Sequence, residues 1–247
     1  MKSASLMAGM VTAVCMPAVA SGGASIVVPV SQDESVCSIA PEKNYAQNTN
    51  RGGLFVGSDG TGCISRFYLQ FQIPSFVAAN DLVSASLWAT YFDDLDRSDN
   101  GVSRIHFVAA DDWSEDTITW DNQPGPTFGT PEASFDPSGA ALGDVVEFDL
   151  SSIVRQELQA GDRVISLLFT ASNESSDRSN RNWEYFAERE FNPDKAFNLT
   201  LQTTARVGGG TGNGGAIPVP LPPAAWSALV TLAGAGAMAW RQRWRRG

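Results

Sequence analysis

The chain has 247 residues and carries 27 Asp and Glu against 17 Lys and Arg, a formal net charge of -10. Setting aside Lys2 and the arginines at 241, 243, 245 and 246, which sit at the two ends, leaves 12 basic groups and a net of -15 on the body. A body that acidic excludes nucleic acid and anionic lipid surfaces as unaided partners. Its length allows one domain of ordinary size between the two terminal segments.

The first segment, residues 1–20, reads as a secretory signal peptide. Lys2 supplies the positive start, residues 6–14 an apolar core, and Ala18 and Ala20 the small-residue site for cleavage before Ser21. The partners this implies are the Sec machinery and a signal peptidase. Cys15 falls inside the peptide after Val14, where a lipoprotein site needs a small residue, so no lipid anchor is read there. Residues 21–30 form a short lead-in.

The body, residues 31–205, retains two cysteines, Cys37 and Cys63. In an exported chain such a pair invites a disulfide, with two buried thiols as the alternative. "ISRFYLQFQI" alternates with period two, and "LVSASLWATYF", "VSRIHFVAA", "DTITW", "DVVEFDL", "RVISLLFTA" and "AFNLTLQTT" are short runs rich in Val, Thr, Leu and aromatics. Turn formers such as "GSDGTG", "DDLDRSDNG", "NQPGPTFG" and "SNESSDRSN" separate them. Only "LSSIVRQELQAG" has helical spacing, with Leu150, Ile153, Val154 and Leu158 on one side and Gly161 as a stop. The predicted fold is all-β, a jelly-roll-like β-sandwich with one short helix.

Chemistry in the body is sparse. The single histidine, His106, lies between Ile105 and Phe107 in a strand pattern and reads as structural; with no second histidine, a serine or cysteine triad and a zinc site of the usual type both fail. Glycoside hydrolysis needs only two carboxylates, but no short motif marks a pair, so the chain is read as a non-enzyme. Asp93, Asp94, Asp96 and Asp99 crowd one loop with Asn100, and such oxygen-rich clusters hold calcium in exported sandwiches. Calcium is the one cofactor the sequence offers a place for, and a solvated acidic loop explains the same residues. Trp88, Tyr91, Trp113, Trp120 and Trp183 could form a platform for sugar rings, or anchor core and turns. Arg66, Arg104 and Arg189 could present a fork to a carboxylated sugar, or pair internally with acids such as Glu190. The ligand candidates drawn from these sets are Tyr91, Trp88, Arg66 and Arg104.

After the body, residues 206–216 are a glycine-rich linker. Residues 217–247 join a proline-rich stretch, a 17-residue apolar run at about 224–240 that spans about 25 Å as a helix, and a terminal arginine cluster. Trp226 and Trp240 suit the two membrane interfaces, and the arginines place the C-terminus in the cytoplasm and the body outside.

The order of motifs in the body resembles the DNRLRE, or disaggregatase-related, domain of secreted bacterial and archaeal proteins. The resemblance rests on Trp113, Glu115, Thr119, Trp120 and Pro124, with Asn44-Tyr45, Leu54, Val56-Gly57 and Arg189-Glu190 in support. Gln72 and Glu188 depart from that pattern, where aspartate and serine are usual. The family is similar to carbohydrate-binding modules, some of which bind acidic polysaccharides, and it implies a surface or matrix protein that binds extracellular polysaccharide, with a purely structural or adhesive matrix protein as the competing reading. The tail resembles a PEP-CTERM sorting signal of the VPLPA type, with Val219, Pro220, Leu221 and Pro222 as its motif and Pro223 where the variant has alanine. That resemblance implies an exosortase partner, a transient stay in the inner membrane, and final release to the cell surface or extracellular matrix of a Gram-negative bacterium.

Overall fold

The computed structural model describes residues 23–45, 53–58, 60–94, 101–125, 130–177, 182–190 and 192–204. The signal-peptide site at Ala18, Ala20 and Ser21, the loop acids Asp96 and Asp99, the sorting motif 219–222 and the apolar run 224–240 lie outside these residues. No helix among the described residues is long and apolar enough to cross a membrane.

The described chain is all-β with one short helix. Its strands are β1 (Ala24–Pro29), β2 (Gln32–Cys37), β3 (Gly53–Ser58), β4 (Ile64–Gln72), β5 (Leu82–Asp94), β6 (Ser103–Val108), β7 (Ala133–Phe135), β8 (Val145–Asp149), β9 (Val164–Ala171), β10 (Glu184–Ala187) and β11 (Asn198–Thr203). The helix, α1, spans Ser151–Ala160. It buries Ile153, Val154 and Leu158, the face its spacing predicts, and ends at Gly161, whose left-handed φ of 87° lets the last turn close.

Pairing is antiparallel throughout and sandwich-like. One group of strands joins β8, β5, β11 and β1, with β10 on the last residues of β5 and β3 on β10. The other joins β2, β4, β9, β6 and β7. β3 meets β4 only at Gly57 and Ser58. The core lies between the groups: Phe67, Leu69 and Phe71 of β4 and Leu167 and Phe169 of β9 meet Leu87 and Tyr91 of β5, Phe186 of β10 and Leu199 of β11. Phe67 and Phe169 stack at 4.3 Å, and Phe169 meets Phe148, Phe186 and Phe197 edge-on.

A second, smaller core explains why β4 and β9 are apolar on both faces. On their far side Val36, Tyr68, Val108 and Leu168 pack against Trp113 and Ile118, which come from the stretch 109–125 laid over that face. The predicted strand "DTITW" is therefore a turn segment. Its β-branched residues favour extension, but Asn122 accepts from the Thr119 amide at 2.6 Å and donates to the Thr117 carbonyl at 2.9 Å, which closes a loop and sends Ile118 inward as an apolar plug. The sequence reading takes residues 21–30 as a lead-in; in the fold, β1 from within it adds an edge strand along β11. Cys37 and Cys63 form the disulfide, with Cα atoms 5.8 Å apart.

Candidate functional site

Two arrangements meet where β2, β3 and the end of β10 come together. The first is an ion network centred on Arg189. Its Nη2 donates to both oxygens of Glu115 at 2.8 and 2.9 Å, its Nε donates to Glu190 at 2.6 Å, and Nη1 donates to the Ser31 carbonyl. The Arg189 amide donates to Asp33 Oδ2 at 3.0 Å, and the guanidinium lies 3.7 Å from Asp33 Oδ1. Glu115 also accepts from the Asp33 amide at 3.2 Å. Asn44 donates to the carbonyls of Glu115 and Ile118 at 2.6 and 2.9 Å.

Asn44, Trp113, Glu115 and Arg189, which carry the family pattern in the sequence, thus serve one structural purpose. They tie the 109–125 segment over its sheet face. Trp113 is 8 % exposed and donates its indole N–H to Ser166 Oγ at 3.2 Å, while Tyr68 donates its hydroxyl to the Pro124 carbonyl at 3.0 Å. Trp113 and Trp120 are loop anchors, and Trp120 lies under the Arg66 guanidinium at 4.7 Å.

Among the described residues, Asp33, Glu115 and Glu190 are the one carboxylate group close enough together to hold a metal ion. The chain's own cation, Arg189, is bound among all three. Even so, burial pushes Asp33 up to about 7, its bond from the Arg189 amide opposing, because a carboxylate with no exposed side-chain surface has lost its water.

The second arrangement is an open pocket lined by Glu34, Ser35, Tyr45, Phe55, Ser65 and Glu188, with Val36 and Cys37 beneath. Glu34 is 2 % exposed; its Oε1 accepts from the Ser35 amide at 2.7 Å, and its Oε2 has no hydrogen-bond partner. Burial pushes Glu34 up to about 9, with the Glu188 charge adding to the rise. Glu188 is pushed up to about 7, first by burial and then by Asp33 and Glu190.

From this pocket a row of aromatic rings crosses the sheet. Phe55 stacks on Trp183 and on Tyr185, each at 4.8 Å, and Tyr185 continues to Phe92 at 5.5 Å. Lys195 Nζ lies 5.1 Å from the Phe92 ring. Phe55 alternates with Leu54 and Val56, which enter the core, so the row lies on the opposite, outer side. Gly53 permits the arrangement: a Cβ there would stand 1.8 Å from Tyr185 Cε2, so only glycine lets the ring lie against the β3 backbone.

The other predicted ligand residues scatter. Tyr91 is buried in the core against Phe135 and Phe186, beyond reach of a ligand. Its neighbour Phe92 is the outward ring, and the parity of β5 was the signal that could have found it. Trp88 shares that outward side, half-buried between Asn198 and Glu147 on adjacent strands. Arg66 spends its fork on Glu174 at 2.9 and 2.6 Å, whereas Arg104 stands exposed on β6. The backbones of Asp93 and Asp94 pair with Tyr185 and Glu184. His106 meets Thr170 Oγ1 at 3.1 Å, and burial lowers its pKa.

Set against known proteins, residues 25–202 match the family model of carbohydrate-binding module family 96. Comparison with curated proteins gave no match.

Proposed function

From the premise that the chain belongs to carbohydrate-binding module family 96, we propose that its body, a jelly-roll-type member of the disaggregatase-related kind, binds extracellular polysaccharide. Binding uses the half-buried outer rings of Trp183, Tyr185 and Phe92, with the buried Phe55 packed between the first two, together with the acid-lined pocket at the Phe55 end. The observation that carries this is the unbroken ring-to-ring contact along the row. Pyranose rings pack their C–H faces on aromatic surfaces, and successive rings along a sheet suit successive sugars along a chain. The carboxyl groups of Glu34 and Glu188 supply hydrogen-bonding partners for sugar substituents.

Affinity electrophoresis of the full-length protein on neutral and charged polysaccharides, with and without calcium, tests this reading. Trp183→Ala and Tyr185→Ala should each weaken retardation about 5- to 10-fold, the equivalent of about 1–1.5 kcal/mol per aromatic contact. Unchanged retardation in folded variants would remove the row from the site and leave a structural matrix protein as the better reading. The calcium arm asks whether the acids at 93, 94, 96 and 99 take an ion.

The terminal segments supply the proposed address. The chain is exported, held by residues 224–240 and released by an exosortase at 219–222, reaching the cell surface or the biofilm matrix. Replacing Pro220 and Pro222 by alanine should accumulate an unprocessed membrane-bound form; normal release of that variant would refute the sorting step.

A further inference from the structure

We propose that the pocket at Phe55 takes a sugar bearing a free amine, a hexosamine unit whose ammonium sits against Glu34 and Glu188. The proposal rests on the polysaccharide-binding reading and narrows its substrate class. Among the described residues, every charged side chain lining the pocket is acidic. Arg189, next in sequence to Glu188, is turned to Glu115 and Glu190. Lys43, two residues before Tyr45, does not line the pocket; its ammonium lies 4.6 Å from the Tyr45 ring centroid, on an aromatic wall that accepts a cation.

Glu34 gives the second, independent observation. It is 98 % buried, it lines the pocket, and its Oε2 has no hydrogen-bond partner. A buried acceptor in that state is stabilised by a donor, and an ammonium brings three donors with a charge that draws the neighbouring carboxyls toward the ionised form. A uronate sugar would place a third carboxyl group against Glu34 and Glu188, and a neutral sugar would bring no charge to draw either of them into the ionised form. The pocket has room for about one water-sized group, so the ammonium enters it and the sugar ring stays at its mouth. The field of the body acts in the same direction, since a net of -15 draws a cationic polymer toward it.

The test compares four hexamers binding to the full-length protein at pH 6 by calorimetry: fully deacetylated glucosamine, N-acetylglucosamine, cellulose-type glucose and a polyuronate. The deacetylated hexamer should bind about 10-fold tighter than the other three, the worth of one charge-assisted hydrogen bond. Glu34→Gln and Glu188→Gln should each remove about that factor for the amine ligand and leave the N-acetylated one unchanged. Asp116→Asn with Asp121→Asn, two exposed acids that do not line the pocket, should leave the preference intact.

Equal affinity for the amine and N-acetyl hexamers overturns the proposal, as does an equal loss from the Asp116 and Asp121 changes, which would make the preference a general charge effect. Binding of the neutral or acidic hexamers that is sensitive to Trp183→Ala but shows no amine preference overturns this inference alone. Binding of none of the four overturns the polysaccharide reading with it.

Discussion

Replacing Arg189 by methionine is expected to lower stability at pH 7 by about 3 kcal/mol and the melting temperature by about 10 °C. Among the described residues the guanidinium is the one cation bonded to Asp33, Glu115 and Glu190, and the Asp33 side chain has no exposed surface. Methionine fills most of the volume and removes the charge, so three carboxyls face one another with one of them sealed from water. Breaking such a pair costs more than the pair contributes, because the remaining charge is stranded. Arg189→Lys should recover part of the loss: it restores a charge but cannot grip both oxygens of Glu115. The damage should also be located. Amide exchange should rise along 109–125, which Glu115 ties down, and stay low in β9 and β11 in the core. A melting temperature within 2–3 °C of the parent at pH 7, on the scale expected for about 1 kcal/mol or less, would show that the network is not what holds the segment.

Much of the scaffold was legible because its strands follow one rule. In β4, β5, β9 and β11 the apolar residues recur at a spacing that fits a pleated sheet, and α1 carries its own stop at Gly161. The failures have specific causes. β2, "QDESVC", has no run of Val, Thr, Leu or aromatics to mark it, and it is a strand because its backbone pairs with β4 along its whole length, with both of its acids buried. "DTITW" has strand propensity but is closed into a loop by Asn122.

At the site the division is similar. The pairing of Arg189 with Glu190 was readable because the two are adjacent. Its stronger partner, Glu115, is 74 residues away and was visible only as part of a family pattern. Trp183 was among the platform candidates, but Phe55, Tyr185 and Phe92 join it only through the pairing of β10 with β3 and β5. Glu34 carried no signal at all, since an acid in a polar run reads as solvated, and Glu188 stood out only as a departure from the family pattern. Burial, which gives both their chemistry, is a property of the fold.

That burial predicts how stability should change with pH. Glu34 and Glu188 are pushed up to about 9 and about 7, and Asp33 to about 7, each chiefly by burial. The folded chain therefore holds more protons than the unfolded chain between the ordinary carboxylate range and these raised values. The stability these groups contribute is full below pH 4, where both states are protonated, and is lost as pH rises first through 7 and then through 9. Thermal unfolding at pH 5, 7 and 9 should show a melting temperature about 5–10 °C lower at pH 9 than at pH 5, the response expected for about 2–3 kcal/mol in a domain of this size. Glu34→Gln isolates the cause, because glutamine keeps the shape and cannot ionise. The variant should match the parent at pH 5, exceed it at pH 9, and account for most of the fall between pH 7 and 9. Glu188→Gln should act mainly between pH 5 and 7. Curves for Glu34→Gln and the parent that run parallel from pH 5 to 9 would mean that the Glu34 carboxyl reaches water in solution, and the pocket would then lack the buried acceptor its ligand chemistry depends on.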